Sequence, residues 1–322
     1  MNYPFVKNEV SASDGLLISE VIEDFIQVKN SHQTRRSYLN DLTGFFKTLD
    51  CVVFLSDFGL IPYPQVVSHV QNFLRSSTKK DEQTGRVLNP KTVNRKAYAL
   101  SSFFNYLIQV YNYPKNPIRH FKPLQTEKRS TTTSLTRAEV IDFLAFAKDE
   151  HRLSEGKFRN YLILVFMFGL ALRRDETANL KWDDIDFQNS TANVYQKGGS
   201  FKLLPLPNGI ASLLNEFKNL YGDTCPYIFH PVRNNRTKEL SKPIRTSYIF
   251  EMVKKIAVRV VPDKNITPHS FRKTFIELAL NNKEDFISII NATGHATVEM
   301  IKYYDTRDAL KNNAIHSIAN II

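Results

Sequence analysis

The chain has 322 residues, with 43 Lys and Arg against 32 Asp and Glu and a formal net charge of +11. An apolar fraction of 42% and an aromatic fraction of 12% supply enough material for packed cores and exclude wholesale disorder. The basic balance points to an anionic partner or to a basic solvated exterior. Cys51 and Cys225 are too few for a disulfide framework and form no CxxC pair, which predicts a reduced, cytoplasmic setting. Residues 1–8 hold no signal-peptide core, and the longest apolar run, 161–172, falls short of the roughly 20 residues a membrane span needs.

In chain order, Ile18, Val21, Ile22 and Phe25 follow i, i+3, i+4, i+7 spacing and predict a first helix. Tyr38, Leu39, Leu42, Phe45, Phe46 and Leu49 predict a second, and a shorter one covers about 65–75. A long helix follows Asn89, with Pro90 at its first position and Val93, Ala97, Leu100, Phe104 and Leu107 as its stripe. Four helices with modest loops predict a bundle over residues 1–112.

Residues 113–134 hold three prolines, a basic excess and a Ser/Thr run without apolar periodicity, which predicts a linker. Charge is uneven along this half. Residues 1–57 carry 5 basic and 8 acidic side chains, whereas residues 75–129 carry 12 basic against 3 acidic. A phosphate backbone is one partner for such a stretch, through Arg75, Lys79, Lys80, Arg86, Lys91, Arg95, Lys96, Lys122, Lys128 and Arg129. A solvated basic surface is the other explanation, and charge alone does not separate the two.

Helical order resumes at Thr136, which forms a capping box with Glu139. The 161–172 run is apolar on every side, as in a helix buried within a core. Short strands are expected at 184–187, 191–196 and 201–205, turned at 188–190 and at Gly198-Gly199. Helices follow at about 208–218, 244–260, 268–281 and 285–292, with short ones near 297–302 and 306–316. The chain therefore reads as mainly α. A four-helix bundle precedes a mixed α/β domain, 135–322, with a small three-stranded antiparallel sheet.

Four local signals lie in that second half. Arg173 follows the buried helix, three residues before Glu176, a spacing equally typical of a routine helix ion pair. Lys197 stands at the hairpin tip, where most lysines are merely solvated. Pro268 suits a helix start, which sets His269 and Arg272 one turn apart on one face, an arrangement suited to an oxyanion or phosphate. Gly294 ends a helix before His295, and Tyr303 and Tyr304 follow eight and nine residues on. Singly, each is more often a capping or packing residue.

Taken in order, the four resemble the tyrosine recombinase (phage-type integrase) family. Arg173-x-x-Glu176-x-x-x-Leu180-x-Trp182 is similar to its first arginine box and QKGGSFKLLPLP to its β-hairpin lysine segment. ITPHSFRKTF resembles its His-x-x-Arg box, and TGHATVEMIKYY its histidine-to-tyrosine stretch. The motifs cover roughly 135–310, while the N-terminal half is similar in layout only, as a core-binding domain.

The resemblance implies a metal- and ATP-independent site-specific recombinase that works on double-stranded DNA as a tetramer, with no cofactor. Tyr304 would be the nucleophile by its spacing, with Tyr303 packing inward, and Arg173 and Arg272 would hold the phosphate oxygens. Lys197 would be the general acid, His269 an acid/base or phosphate partner, His295 a phosphate support, and Glu176 the residue orienting Arg173. Lys273 stands where many members carry histidine. The wording around Arg173 and His269 departs from that of Xer-type resolvases, which favours a mobile-element integrase over an Xer-like enzyme. The apolar tail 314–322 would dock on a neighbouring protomer or on its own domain. A non-catalytic DNA-binding regulator would have no need for all six residues, and no HExxH or Cys/His cluster suggests a metal.

Overall fold

The amphipathic spacings of the N-terminal half fold as helices in a computed structural model, which describes residues 15–49, 52–77, 89–119, 121–126, 132–196, 199–223, 225–232, 240–305 and 307. The chain divides into two compact units, Met1–Glu127 and Lys128–Ile322.

In the first unit, α1 (Ile18–Gln27), α2 (His32–Phe46), α4 (Tyr63–Ser76) and α5 (Pro90–Tyr111) are the four expected helices. A fifth, α3 (Leu55–Leu60), joins them; its six residues are too few for periodicity to reveal. Asp57 holds its start, where the Val53 and Phe54 N–H groups donate to one carboxylate oxygen at 3.0 and 2.7 Å. The α5 helix is capped by the Asn89 side chain and ends at Asn112 in the left-handed region, φ 53.

Aromatic rings fill the core between these helices. Phe103 of α5 meets Phe25 at 5.3 Å and Phe46 at 5.7 Å, both edge to face, and Phe45 meets Phe73 at 5.5 Å. The stretch read as a linker begins as part of this core. Tyr113 and Ile118 are buried in it, because Asn116 Nδ2 donates to Ser101 O and Asn94 exchanges two hydrogen bonds with the Leu124 backbone. Prolines suppress helical periodicity, so that packing left no trace in the pattern.

The second unit is built around α7 (Glu155–Gly169), which is apolar on every side from Tyr161 onward and has Leu162, Ile163, Leu164, Phe166 and Met167 fully buried. Around it lie α6 (Arg137–Asp149), capped by Thr136 and Glu139 as expected, α9 (Asn208–Tyr221), α10 (Thr246–Val260) and α11 (Pro268–Asn281). Short α8 (Arg174–Ala178) follows α7, while α12 (Phe286–Thr293) and α13 (Val298–Lys302) follow α11. The sheet is β1 (Ile185–Asp186), β2 (Thr191–Tyr195) and β3 (Phe201–Pro205), antiparallel in that order, with Val194 opposite Lys202 and Ala192 opposite Leu204. Among the described residues no helix is long and apolar enough to cross a membrane. The expected helix at 306–316, apart from Arg307, and the tail 314–322 lie outside the described residues.

Phe103 is fully buried and touches rings from two other helices. Phe103→Ala should therefore lower the stability of the full chain by about 3–5 kcal/mol, read from its urea transition by circular dichroism.

Candidate active site

Elements that end close together in the second unit bring the singled-out residues to one place. The first is the start of α11. Thr267 precedes it in extended backbone, its N–H donating to Ser270 Oγ at 3.0 Å, and Pro268 opens the helix. That start aims His269 and Arg272 off the first turns.

Arg272 is 1% exposed, the largest side chain among the fully buried ones. Its Nη1 donates to Ala171 O at 2.6 Å, its Nη2 donates to Thr293 O, and Nη2 also lies 3.4–3.5 Å from the ring nitrogens of His295. Nε is buried without a hydrogen-bond partner. Ala171 sits at φ 50, a conformation few L side chains adopt, and this turns its carbonyl toward the guanidinium. Burial, reinforced by Arg173, pulls the Arg272 pKa down to about 10, so it remains a cation at neutral pH.

Arg173 precedes α8 in extended backbone and is locked by Glu176. Its Nη1 lies 2.6 Å from Glu176 Oε1, and its backbone N–H donates to Oε2 at 2.9 Å. About a third of the Arg173 side chain stays exposed, at 34%, whereas Glu176 is buried. Burial raises the Glu176 pKa, but Lys202, the Arg173 N–H and the Arg173 guanidinium more than offset it, and the carboxyl is held below the usual range.

The third arm is the end of α12. Gly294 takes the left-handed conformation at φ 67, which a side chain would strain, and a Cβ there would also push aside the end of the Gln196 side chain. The next residue, His295, is buried. The Thr293 hydroxyl donates to Ile289 O at 2.6 Å and accepts from His295 Nδ1 at 2.7 Å, leaving the Nε2 lone pair on the Arg272 side. Burial, Arg272 and Arg173 push the His295 pKa down to about 3. The same causes, with Lys273, lower that of His269.

Tyr304 closes the group. Its hydroxyl is 2.9 Å from His269 Nε2, and its ring lies 6.0 Å from His269 and 5.8 Å from His295. Tyr303 packs against the apolar cluster of Ile276, Leu280 and Ile301, as expected, but less deeply than its neighbour. Tyr304 is the buried one at 7%, drawn in by His269, while Tyr303 is half-buried against it, ring to ring at 5.5 Å.

Five of the six expected catalytic residues and Glu176 thus converge. Lys197 lies outside the described residues, as do Lys79, Lys80, Arg86, Lys128 and Arg129. Of the remaining basic residues, Lys91 and Lys122 are exposed, and Arg75 is on the last turn of α4. Two others are engaged in the fold. Arg95 pairs with the buried Asp41, and Lys96 donates to Ser77 Oγ at 3.1 Å and sits 4.6 Å over the Phe73 ring. Sequence reasoning missed Lys202, a buried lysine 3.5 Å from Glu176; its signal was the β3 register, which alternates Lys202 and Leu204 onto one face. No group of three or more His, Cys, Asp or Glu suited to a metal occurs among the described residues.

Comparison with known proteins gives the same picture. Residues 133–310 match the phage integrase family. Tyrosine recombinase XerC of Pediococcus pentosaceus is 25% identical over 295 residues, covering 87% of this chain and 89% of its own. Tyrosine recombinase XerA of Pyrococcus horikoshii is 29% identical over 177 residues, 55% of this chain and 57% of its own. Among solved structures, XerH site-specific recombinase bound to a palindromic difH substrate superposes with TM-score 0.67 at 20% identity, covering 94% of this chain and 84% of that one. The Tn1549 transposon integrase with transposon right-end DNA gives 0.65 at 18%, covering 95% and 99%.

A histidine buried as the neutral ring makes stability depend on pH. The folded His295 pKa of about 3 lies below the ordinary 6.5, so below pH 6.5 the unfolded chain takes up a proton the folded chain refuses. Stability is therefore retained above pH 6.5 and drains away as the pH falls toward 3. The melting temperature of the wild type should drop between about pH 7 and about pH 5, and less steeply in His295→Gln. Parallel curves for the two proteins would contradict this account.

Proposed function

The chain belongs to the phage integrase family of tyrosine recombinases, and from that premise we propose that it cuts and rejoins double-stranded DNA through a covalent 3′-phosphotyrosine at Tyr304. The observation that carries this reading is the 2.9 Å contact between the Tyr304 hydroxyl and a neutral His269, beside two fixed guanidiniums. A neutral imidazole accepts the phenol proton as the oxygen attacks phosphorus. Negative charge then grows on the non-bridging oxygens. Arg173, one third open to solvent, and Arg272, with Nε still to be satisfied, are donors for them. The bond from phosphorus to the 5′ oxygen breaks, and Lys197 supplies the proton that oxygen needs to leave as a hydroxyl. Attack by a second strand's 5′ hydroxyl reverses the steps and frees Tyr304.

Such chemistry conserves the phosphodiester energy in the tyrosyl ester, so neither ATP nor a metal is required. Exchange between two duplexes needs four such sites, hence a homotetramer on two DNA sites. The first unit is the core-binding domain in this reading, with Arg75, Lys91 and Lys122 as phosphate contacts. The enzyme acts as the integrase and excisionase of a mobile element, consistent with its similarity in fold to a transposon integrase. The XerC and XerA names of its relatives favour a second reading, an Xer-like resolvase. Sequencing the DNA that becomes attached to the protein distinguishes an element's ends from a chromosomal resolution site.

A duplex nicked near the cleavage point traps the intermediate. Wild type and Tyr303→Phe should give a covalent band and Tyr304→Phe none; the opposite pattern would reassign the nucleophile. Arg173→Ala or Arg272→Ala should slow band formation by about 100-fold or more. Lys197→Ala should slow it too, and a 5′-bridging sulfur, a leaving group that needs no proton, should restore the rate. EDTA should have no effect.

A further inference from the structure

Strand β3 turns a lysine into the protein. Its residues alternate exposed and buried from Phe201 to Pro205, and Lys202 occupies a buried position in register with Leu204 and opposite Val194. Only 7% of its side chain is exposed. The ammonium has three N–H donors, and three acceptors surround it: Ala292 O at 3.3 Å, Thr293 O at 3.4 Å and Glu176 Oε2 at 3.5 Å. Ala292 and Thr293 are the last residues of α12, whose terminal carbonyls carry the negative end of the helix dipole. Thr293 O is also the acceptor for Arg272 Nη2, and His295 follows two residues later.

We propose that Lys202 is a positioning residue for strand cleavage: it spans Glu176, which locks Arg173, and the α12 end, which carries His295, and it keeps Glu176 ionised. The inference rests on the recombinase reading above. Lys202 is assigned to the protein side of the site, because its three acceptors all belong to the fold. Its work is electrostatic. Glu176 is buried, and burial alone would favour the neutral acid, which holds Arg173 poorly. The Lys202 charge is the largest single influence opposing that, ahead of the Arg173 N–H and guanidinium. Lys202 itself is pulled down to about 8, by burial first and then by Arg272 and Arg173, against the pull of Glu176. The charged or titratable groups around the cluster are thus Arg173 and Glu176 at α8, Arg272 and His269 on α11, and His295 after α12.

The test is the rate of covalent-complex formation on the nicked duplex, under single turnover, from about pH 5.5 to about pH 9, in wild type, Lys202→Met and Lys202→Arg. Without the Lys202 charge the Glu176 pKa rises, so the acid limb of the Lys202→Met profile should move up by about one pH unit or more. The deficit should be about twofold at about pH 5.5 and vanish as the pH rises, while Lys202→Arg stays near wild type. DNA binding in a gel shift should persist in both. Should Lys202→Met fail to fold, Lys202→Gln, which keeps donors for the carbonyls but no charge, should show the same shifted limb. A deficit constant at every pH, or none, overturns the proposal. So does rescue by the 5′-bridging sulfur, which would make Lys202 a proton donor. A wild type that forms no covalent complex overturns the recombinase reading and this one with it; a normal wild type with an unshifted variant sinks only the role of Lys202.

Discussion

The site hangs on a buried guanidinium. Taking an arginine out of water is costly unless its donors are met and the charge is balanced nearby. Arg272 meets the first condition at Nη1 and Nη2, though not at Nε, by drawing two carbonyls from distant stretches, Ala171 after α7 and Thr293 at the end of α12. Those two residues precede Arg173 and His295 by two positions each, so satisfying one side chain sets where two others stand. The left-handed backbone at Ala171 is the strain accepted for that geometry, and glycine at 294 makes the same turn without it.

The second condition explains the character of the imidazoles. A cluster of Arg173, Arg272 and Lys202 with Glu176 as its buried anion is net positive, as suits a pocket meant for a phosphate. In that field a protonated histidine is unfavourable, and both His269 and His295 are held neutral. One neutral ring can then take a proton from Tyr304 while the other stays an acceptor beside Arg272. In the proposed mechanism, the cations that would hold the phosphate and the base that would act on Tyr304 follow from the same electrostatics.

Much of this was legible in one sequence wherever the signal is local. The capping box at Thr136, the proline start of α11, the glycine after α12 and the apolar second half of α7 each state a local physical requirement, and each stands where expected. Longer-range effects were less visible. Helix α3 is too short to show a period, and the proline-rich stretch after α5 hides that Tyr113 and Ile118 are core residues. Arg95 and Lys96 count as basic charge in a sequence, yet Asp41 and Phe73 claim them in the fold.

By itself the sequence determined the order and kind of elements, the family motifs and the identity of the groups available for chemistry, because caps, turns and periodicity act between neighbours in the chain. Tertiary structure alone decided which of two adjacent tyrosines is buried against His269, which lysine sits beneath Glu176, and that Ala171 bends its carbonyl to Arg272. Those choices depend on charges and donors brought together from residues as much as 101 positions apart, and burial, which sets their energies, exists only once the chain has folded.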